Sequence, residues 1–352
     1  MTGNHPPGKA LRIGVLGCAN IAKQFIRDVA PSSALRVVAV ASRNVETAAA
    51  FAAAQNVERH FGSYEALLAD DRIDAIYLPL PNSMHAEWAI KAAEAGKHVL
   101  CEKPLAMGRS EADAMFAAAR RHGVMLLESF PYYFQPQMKQ MIALLAAGAI
   151  GDVRSVQASF GFTMANPQGN IRMSPDLGGG ALLDAGSYAL SVIRLAMGRA
   201  PQRVRADATW AGSGVDISMM ATLYYANGAR AQLSCAMDAA NHRRATIVGT
   251  AGTIETEYLN HTSVDLSHPL GYQPSQLRIR KGTANTVPFE DISAEVGSGF
   301  RFAAEAFAMA VAENAAAFIE RAAQASLDNA ATLEAIARSA KTGQVADVAT
   351  GA

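Results

Sequence analysis

Residues 11–22 read LRIGVLGCANIA, and this stretch decides the fold. A short apolar run over 11–16 feeds directly into Gly17, and a helical pattern follows from Ile21 to Ala30. Gly17, Ala19 and Ala22 fall at the spacing of the fingerprint G-x-G-x-x-G/A, with Ala19 in the place of the second glycine. Gly17 allows a tight turn, Ala19 lets a pyrophosphate approach the backbone, and Ala22 permits close packing of helix on strand. A helix opening near Asn20 presents unpaired N–H groups to phosphates. The same small residues also suit an ordinary turn. What gives the match weight is its position between the first strand and first helix of a βαβ unit.

Working outward, apolar runs predict strands over 35–41, 73–78, 98–101 and 124–128, alternating with helices over 45–54, 85–95 and 110–121. Continuous apolar strands alternating with helices imply a parallel sheet covered on both faces. Beyond about residue 130 the pattern changes. A helix is expected over 136–147, then strands over 153–162, 204–210, 218–226, 229–237, 244–249 and 252–256. Asn227-Gly228 predicts a two-residue hairpin, and short turns between strands imply antiparallel pairing. One helix, 181–197, interrupts this region, and helices over 300–323 and 327–341 close the chain. The expected organisation is a leader over 1–9, a dinucleotide-binding domain over 10–130 and a second domain over 131–352.

The chain has 352 residues, with 31 Lys plus Arg balanced by 31 Asp plus Glu, so no charge imbalance points to nucleic acid or a membrane surface. Cys18, Cys101 and Cys235 are odd in number and widely spaced, which excludes a disulfide framework and a Cys-x-x-Cys zinc site. A reducing, cytoplasmic location is expected. No stretch approaches the roughly 18–20 apolar residues of a membrane helix.

The second strand ends at Ala41-Ser42-Arg43, where an NAD enzyme usually carries an acid for the ribose 2′-hydroxyl. Ser42 and Arg43 instead suit a 2′-phosphate, hence NADP, although Arg43 also suits a solvated loop start. Leu80, Pro81 and Asn82 follow the third strand at the carboxyl edge of the sheet, and His85 comes just after, near a helix start. The fourth strand ends in Glu102-Lys103-Pro104. Lys103 can polarise a carbonyl or move a proton, or the pair can be an ordinary surface ion pair. In the run 178–188, GGGALLDAGSY, Asp184 and Tyr188 stand at i and i+4 on one helix. A carboxylate beside a phenol suits carbinol chemistry, and a cap beside an aromatic core residue has the same spacing. His242-Arg243-Arg244 reads as a polar strand start or a contact to a substrate phosphate, and 261–275 shows polar turns with no clear element.

Together these motifs, with residues 81–85 (PNSMH) and 95–99 (AGKHV), resemble the Gfo/Idh/MocA oxidoreductases over nearly the whole chain. The resemblance implies an α/β protein: an N-terminal Rossmann domain and a C-terminal α+β domain with a large, open, mostly antiparallel sheet whose face commonly forms dimers or tetramers. It implies that Lys103 is the catalytic lysine, often in a cis or strained Lys-Pro context, that Asp184 binds substrate, and that Tyr188 occupies the His or Tyr position four residues later. It assigns NADP to Gly17, Cys18, Ala19, Asn20, Ile21, Ser42, Arg43, Leu80, Pro81, Asn82, His85, Glu102, Lys103 and Arg172. The branch most similar in flavour reduces C-3 ketones of nucleotide-linked deoxysugars. Dihydrodiol and xylose dehydrogenases are alternatives, as is a dinucleotide-sensing regulator without catalysis. One departure stands out: relatives often read E-x-F-M-Y-R-x-H-P where this chain has ESFPYYFQP over 128–136, so Tyr133 and Gln135 replace an arginine and a histidine.

Overall fold

The computed structural model describes residues 9–257 and 275–349, so the expected leader, apart from Lys9, and the segment 261–275, apart from Ser275, lie outside the described residues. The chain forms two compact units. The first comprises Met1–Ala106, Ser110–Pro131 and Ser298–Ser326, and the second Met107–Arg109, Tyr132–Gly297 and Leu327–Ala352. Sequence pattern alone suggests one boundary near residue 130, whereas the chain crosses between the units several times.

The first unit runs β1 (Leu11–Leu16), α1 (Asn20–Val29), β2 (Leu35–Ala41), α2 (Val45–Ala54), β3 (Arg59–Phe61), α3 (Tyr64–Leu68), β4 (Ala75–Leu78), α4 (His85–Glu94), β5 (His98–Glu102), α5 (Arg109–Arg121) and β6 (Leu126–Ser129). Its six strands pair in parallel in the order β3-β2-β1-β4-β5-β6. The order reverses between β1 and β4, and in a doubly wound sheet ligands bind outside the carboxyl ends of the strands at that point. Leu11, Ile13, Val15 and Leu16 of β1 are fully buried, as a strand covered on both faces requires. From α1, Phe25 stacks on Tyr77 of β4 with ring centroids 3.7 Å apart. The excursion β3–α3 goes unread in sequence because a three-residue strand, none of it fully buried, and a five-residue helix carry no period.

Residues 95–99 prove to be structural. Gly96 closes α4 with a positive φ of 71°. Lys97 is 7% exposed, and its ammonium donates to the carbonyls of Asp70 and Ile73, each at 2.9 Å. His98 accepts the Met125 N–H through Nδ1 at 3.0 Å.

The second unit holds α6 (Pro136–Ala146), β7 (Val153–Thr163), α7 (Ser187–Met197), β8 (Arg203–Trp210), β9 (Asp216–Tyr224), β10 (Arg230–Ala236), β11 (Asp238–Gly249), β12 (Gly252–Glu257), β13 (Gln276–Lys281), β14 (Glu290–Asp291) and β15 (Ala346–Asp347). They form a nine-stranded sheet ordered β14-β13-β12-β11-β7-β10-β9-β8-β15. Pairing is antiparallel except between β7 and β10. One face is packed by α7, whose Tyr188, Ala189, Leu190, Val192 and Ile193 are buried. The opposite face is open and carries Gln157, Ser159, Arg205, Thr222 and the 69% exposed Met220. No helix among the described residues is long and apolar enough to cross a membrane.

Three local expectations need correction. The β9–β10 turn is one residue longer than the dipeptide suggests: Tyr225 donates to the Ala229 carbonyl, and Gly228 takes φ 82°, the left-handed residue of a three-residue hairpin. Strand β11 begins at Asp238, so His242, Arg243 and Arg244 lie inside it, with Arg244 paired to Glu257 at 2.7 Å. The C-terminal helices are α8 (Gly299–Glu313) and α9 (Ala316–Thr342), divided at Asn314 with φ 47°, a left-handed cap that asparagine tolerates. Helix α8 belongs to the first unit because Phe300 meets Phe25 edge-on at 6.1 Å and the Ser298 hydroxyl donates to buried Asp28 at 2.8 Å.

Replacing Lys97 with Met keeps the stem and strips the donor from two carbonyls. We expect a loss of about 2 kcal/mol or more in urea unfolding, and an unchanged midpoint would refute the anchoring role.

Candidate active site

In the first unit, Gly17 has φ 104°, and a Cβ there would lie 2.9 Å from Leu80 Cδ2. Glycine is therefore needed both for the backbone and for the approach of Leu80. Helix α1 opens at Ala19 with no side-chain cap and no acidic residue in its first turn. Its free N–H groups and positive dipole end face the turn with no carboxylate in competition, which fits a pyrophosphate. Ser42 is half-buried, Arg43 is exposed, and the Asn44 side chain caps α2 by accepting from Thr47 N at 2.7 Å. No acid stands at the end of β2. Sequence reasoning missed Tyr64, whose hydroxyl lies 3.9 Å from the Cβ position at Gly17 and whose pKa is raised by burial, with the Arg43 charge opposing the rise. It sits in the unread α3 excursion.

The end of β5 carries the second group. Glu102 is buried and accepts the Tyr77 hydroxyl at 2.6 Å, Lys103 is half-buried, and the Lys103–Pro104 peptide is cis, as the resemblance led us to expect. His85 corrects an expectation. It has no exposed surface, and its two ring nitrogens face the carbonyls of Pro104 at 2.9 Å and Leu80 at 2.8 Å. A neutral ring has one N–H, so it donates to one of these two carbonyls and merely faces the other. Burial pushes its pKa down, with the Lys103 charge acting the same way. Glu128 at the end of β6 was not singled out as a site residue. It is buried beside Cys101, and its Oε1 accepts the Leu105 N–H at 2.8 Å. Burial raises its pKa to about 7.

In the second unit, Asp184 and Tyr188 are brought together with Arg172. The expected helix over 181–197 opens with a π-helical turn, Leu182–Gly186, before α7. Such widened turns concentrate at functional sites. The Arg172 guanidinium donates through Nε to Asp184 Oδ2 at 2.5 Å and lies over the Phe162 ring at 5.9 Å. Tyr188 is 5% exposed, with the Phe160 ring at 5.3 Å and the Tyr132 ring at 6.1 Å. The glycines serve packing. Gly179 and Gly180 donate to the carbonyls of Ser174 and Arg172, and a Cβ at Gly179 would strike the Arg172 backbone. Gly180 has φ 108°, and a Cβ there would strike the Asp216 carboxylate, which accepts the Leu182 N–H at 2.6 Å. Asp216 thus caps the helix bearing Asp184 and Tyr188. Its distance along the chain left no local signal.

Residues 11–130 match the oxidoreductase family with NAD-binding Rossmann fold, and residues 138–255 match the GFO/IDH/MocA C-terminal domain. The chain belongs to the Gfo/Idh/MocA oxidoreductase family. It is 35% identical over 339 residues to D-xylose 1-dehydrogenase (NADP(+)) 2 of Haloferax volcanii, covering 96% of this chain and all (100%) of that one. It is 37% identical over 277 residues to dTDP-3,4-didehydro-2,6-dideoxy-alpha-D-glucose 3-reductase of Actinomadura kijaniata, covering 75% and 78%. The crystal structure of a 3-ketoreductase from Actinomadura kijaniata in complex with NADP and TDP-benzene superposes with a TM-score of 0.80 at 32% identity, covering 94% of this chain and 98% of the other.

The raised pKa of Glu128 has a consequence for stability. Between the unfolded value of 4.5 and about 7 the folded chain keeps a proton that the unfolded chain has lost. Stability therefore falls as pH rises through that window. Glu128→Gln keeps an acceptor for Leu105 and cannot ionise. At pH 5 its unfolding free energy should sit close to that of the wild type, and at pH 8 above it by up to about 3 kcal/mol. A gap that is the same at both pH values would rule out a buried titrating Glu128.

Proposed function

We propose that the chain is an NADP-dependent oxidoreductase that moves a hydride between the nicotinamide and a carbonyl or carbinol carbon of a sugar-like substrate. The observation that carries this reading is the Gly17 turn, opening on an uncapped, acid-free helix start, with Ser42 and Arg43 at the end of a β2 that has no acid. Gly17, Cys18, Ala19, Asn20 and Ile21 would hold the pyrophosphate through backbone N–H groups. Ser42 and Arg43 would take the 2′-phosphate, the guanidinium by paired hydrogen bonds. Leu80, Pro81 and Asn82 complete the carboxyl-edge loop. When bound, the nicotinamide supplies or accepts the hydride at its C4.

The chain's own residues manage the oxygen. In reduction, Tyr188 gives its phenolic proton to the developing alkoxide, Lys103 polarises the carbonyl oxygen, and Asp184 orients a neighbouring hydroxyl. Arg172 fixes the Asp184 carboxylate from one side. The same roles run backwards in oxidation. A nucleotide-linked 3-ketosugar is the leading substrate class, supported by likeness to the 3-ketoreductase. An aldose such as xylose is the second, supported by the full-length match to the xylose dehydrogenase. The open face of the nine-stranded sheet, with Met220 exposed on β9, supports association of copies through that face.

Substitution tests the roles. Tyr188→Phe removes one hydroxyl and Lys103→Ala one ammonium. Each should lower turnover by about 10²- to 10⁴-fold while dinucleotide affinity, measured by calorimetry, stays nearly intact. Turnover that survives in both variants removes these assignments.

A further inference from the structure

A single peptide group in the first unit is held at both ends by buried side chains that the mechanism does not use. Pro104 contributes its carbonyl and Leu105 its N–H to that group. The carbonyl faces His85 Nδ1 at 2.9 Å, and the N–H is donated to Glu128 Oε1 at 2.8 Å. His85 Nε2 in turn faces the Leu80 carbonyl at 2.8 Å. A neutral ring carries one N–H, so either tautomer closes one of these two bonds and protonation closes both. Glu128 and His85 reach the peptide from different elements, β6 and the start of α4.

We propose that Glu128 and His85 are positioning residues that clamp the Pro104–Leu105 peptide and thereby hold Lys103 and Leu80 in place. The proposal rests on the reading of Lys103 as the residue that polarises the carbonyl. Three observations support it. Lys103 is bonded directly to Pro104, so rotation of the clamped peptide is transmitted to the lysine Cα within one residue. Leu80, whose carbonyl faces the other ring nitrogen, is the side chain packed against the Gly17 turn. Finally, a carboxyl group is a costly choice for a buried acceptor when a neutral amide would serve.

The setting of Glu128 is that of a group tuned by its neighbours. Its carboxyl is fully buried, with the Leu105 N–H and the Ser326 hydroxyl as its hydrogen-bonding neighbours. Burial raises its pKa to about 7, and Glu102 on β5 adds to the rise, while Ser326 on α9, the Leu105 N–H and the Lys103 charge oppose it. Cys101, alongside on β5, is itself pushed well up by burial and by both carboxylates. The clamp therefore stands next to the lysine electrostatically as well as covalently.

Hydrogen–deuterium exchange on the full chain reads the clamp without any turnover. Wild type, Glu128→Gln, Glu128→Ala and His85→Ala are compared over peptides covering 103–107 and, as reference, 11–16. In both alanine variants the 103–107 amides should exchange about tenfold faster or more, with 11–16 unchanged. Glu128→Gln should stay near wild type, because its amide oxygen accepts the same bond. Turnover of Glu128→Ala should drop by up to about 10²-fold, the cost of a small misplacement, with NADPH affinity held within about threefold by calorimetry, and Gln should restore most of it. Wild-type turnover should show an inflection near pH 7 that Glu128→Gln lacks. Unchanged exchange in both alanine variants overturns the clamp. Faster exchange with full turnover overturns its positioning role. Should Glu128→Ala not fold, His85→Ala and Glu128→Gln carry the same comparison. Lys103→Ala, assayed alongside, separates the two claims: if it keeps turnover, the role of Lys103 fails whatever the exchange shows.

Discussion

The turn at Gly17 is the constraint on which the first unit depends. Its φ of 104° directs the chain from β1 into α1 within three residues, and the absent Cβ leaves the space that Leu80 fills. The Leu80 carbonyl and that of Pro104, in the peptide after Lys103, face the two nitrogens of one buried His85 ring. Phosphate-facing helix start, carboxyl-edge loop and lysine turn are thus one connected network of short contacts around a backbone that only glycine adopts easily. A larger residue at 17 would disturb all three.

The second unit solves a different problem, that of holding a carboxylate and a phenol on one helix start. The widened turn over Leu182–Gly186 is bounded by Asp216, which caps it, and by Cys235, whose Sγ lies 3.0 Å from where a Cβ at Gly186 would be. Arg172 closes onto Asp184 from a segment stitched to the glycines by backbone hydrogen bonds. The ion pair is partly exposed, so its contribution is geometric more than energetic. Aromatic neighbours Phe160 and Tyr132 enclose Tyr188.

Much of this was legible in residue order. The β1–α1 fingerprint, the alternation of apolar strands and helices, and the later change to period two are local signals, and the parallel and mostly antiparallel sheets follow from them. The Gly178–Tyr188 run was legible as a special place, because glycines beside a carboxylate and a phenol are informative without a fold. What escaped reading was nonlocal. Residues 95–99 carry no role in the sequence reading, yet Lys97 anchors carbonyls and His98 an amide across a neighbouring turn and strand. Glu128 reads as the last residue of a strand, with no sign of its partners until β6 is set beside β5. Asp216 caps a helix more than thirty residues earlier. Helix α8 was read as a helix, but no local pattern says that Phe300 belongs beside Phe25.

The central claim is that the Gly17 turn and Ser42-Arg43 together receive NADP, and binding calorimetry tests it most directly. Wild type and Arg43→Ala are titrated with NADPH and with NADH. The account predicts that wild type binds NADPH more tightly, by about tenfold or more, equal to about 1.4 kcal/mol, and that Arg43→Ala removes most of that preference while leaving NADH binding alone. Binding of neither dinucleotide, or a preference that Arg43→Ala leaves intact, would contradict it.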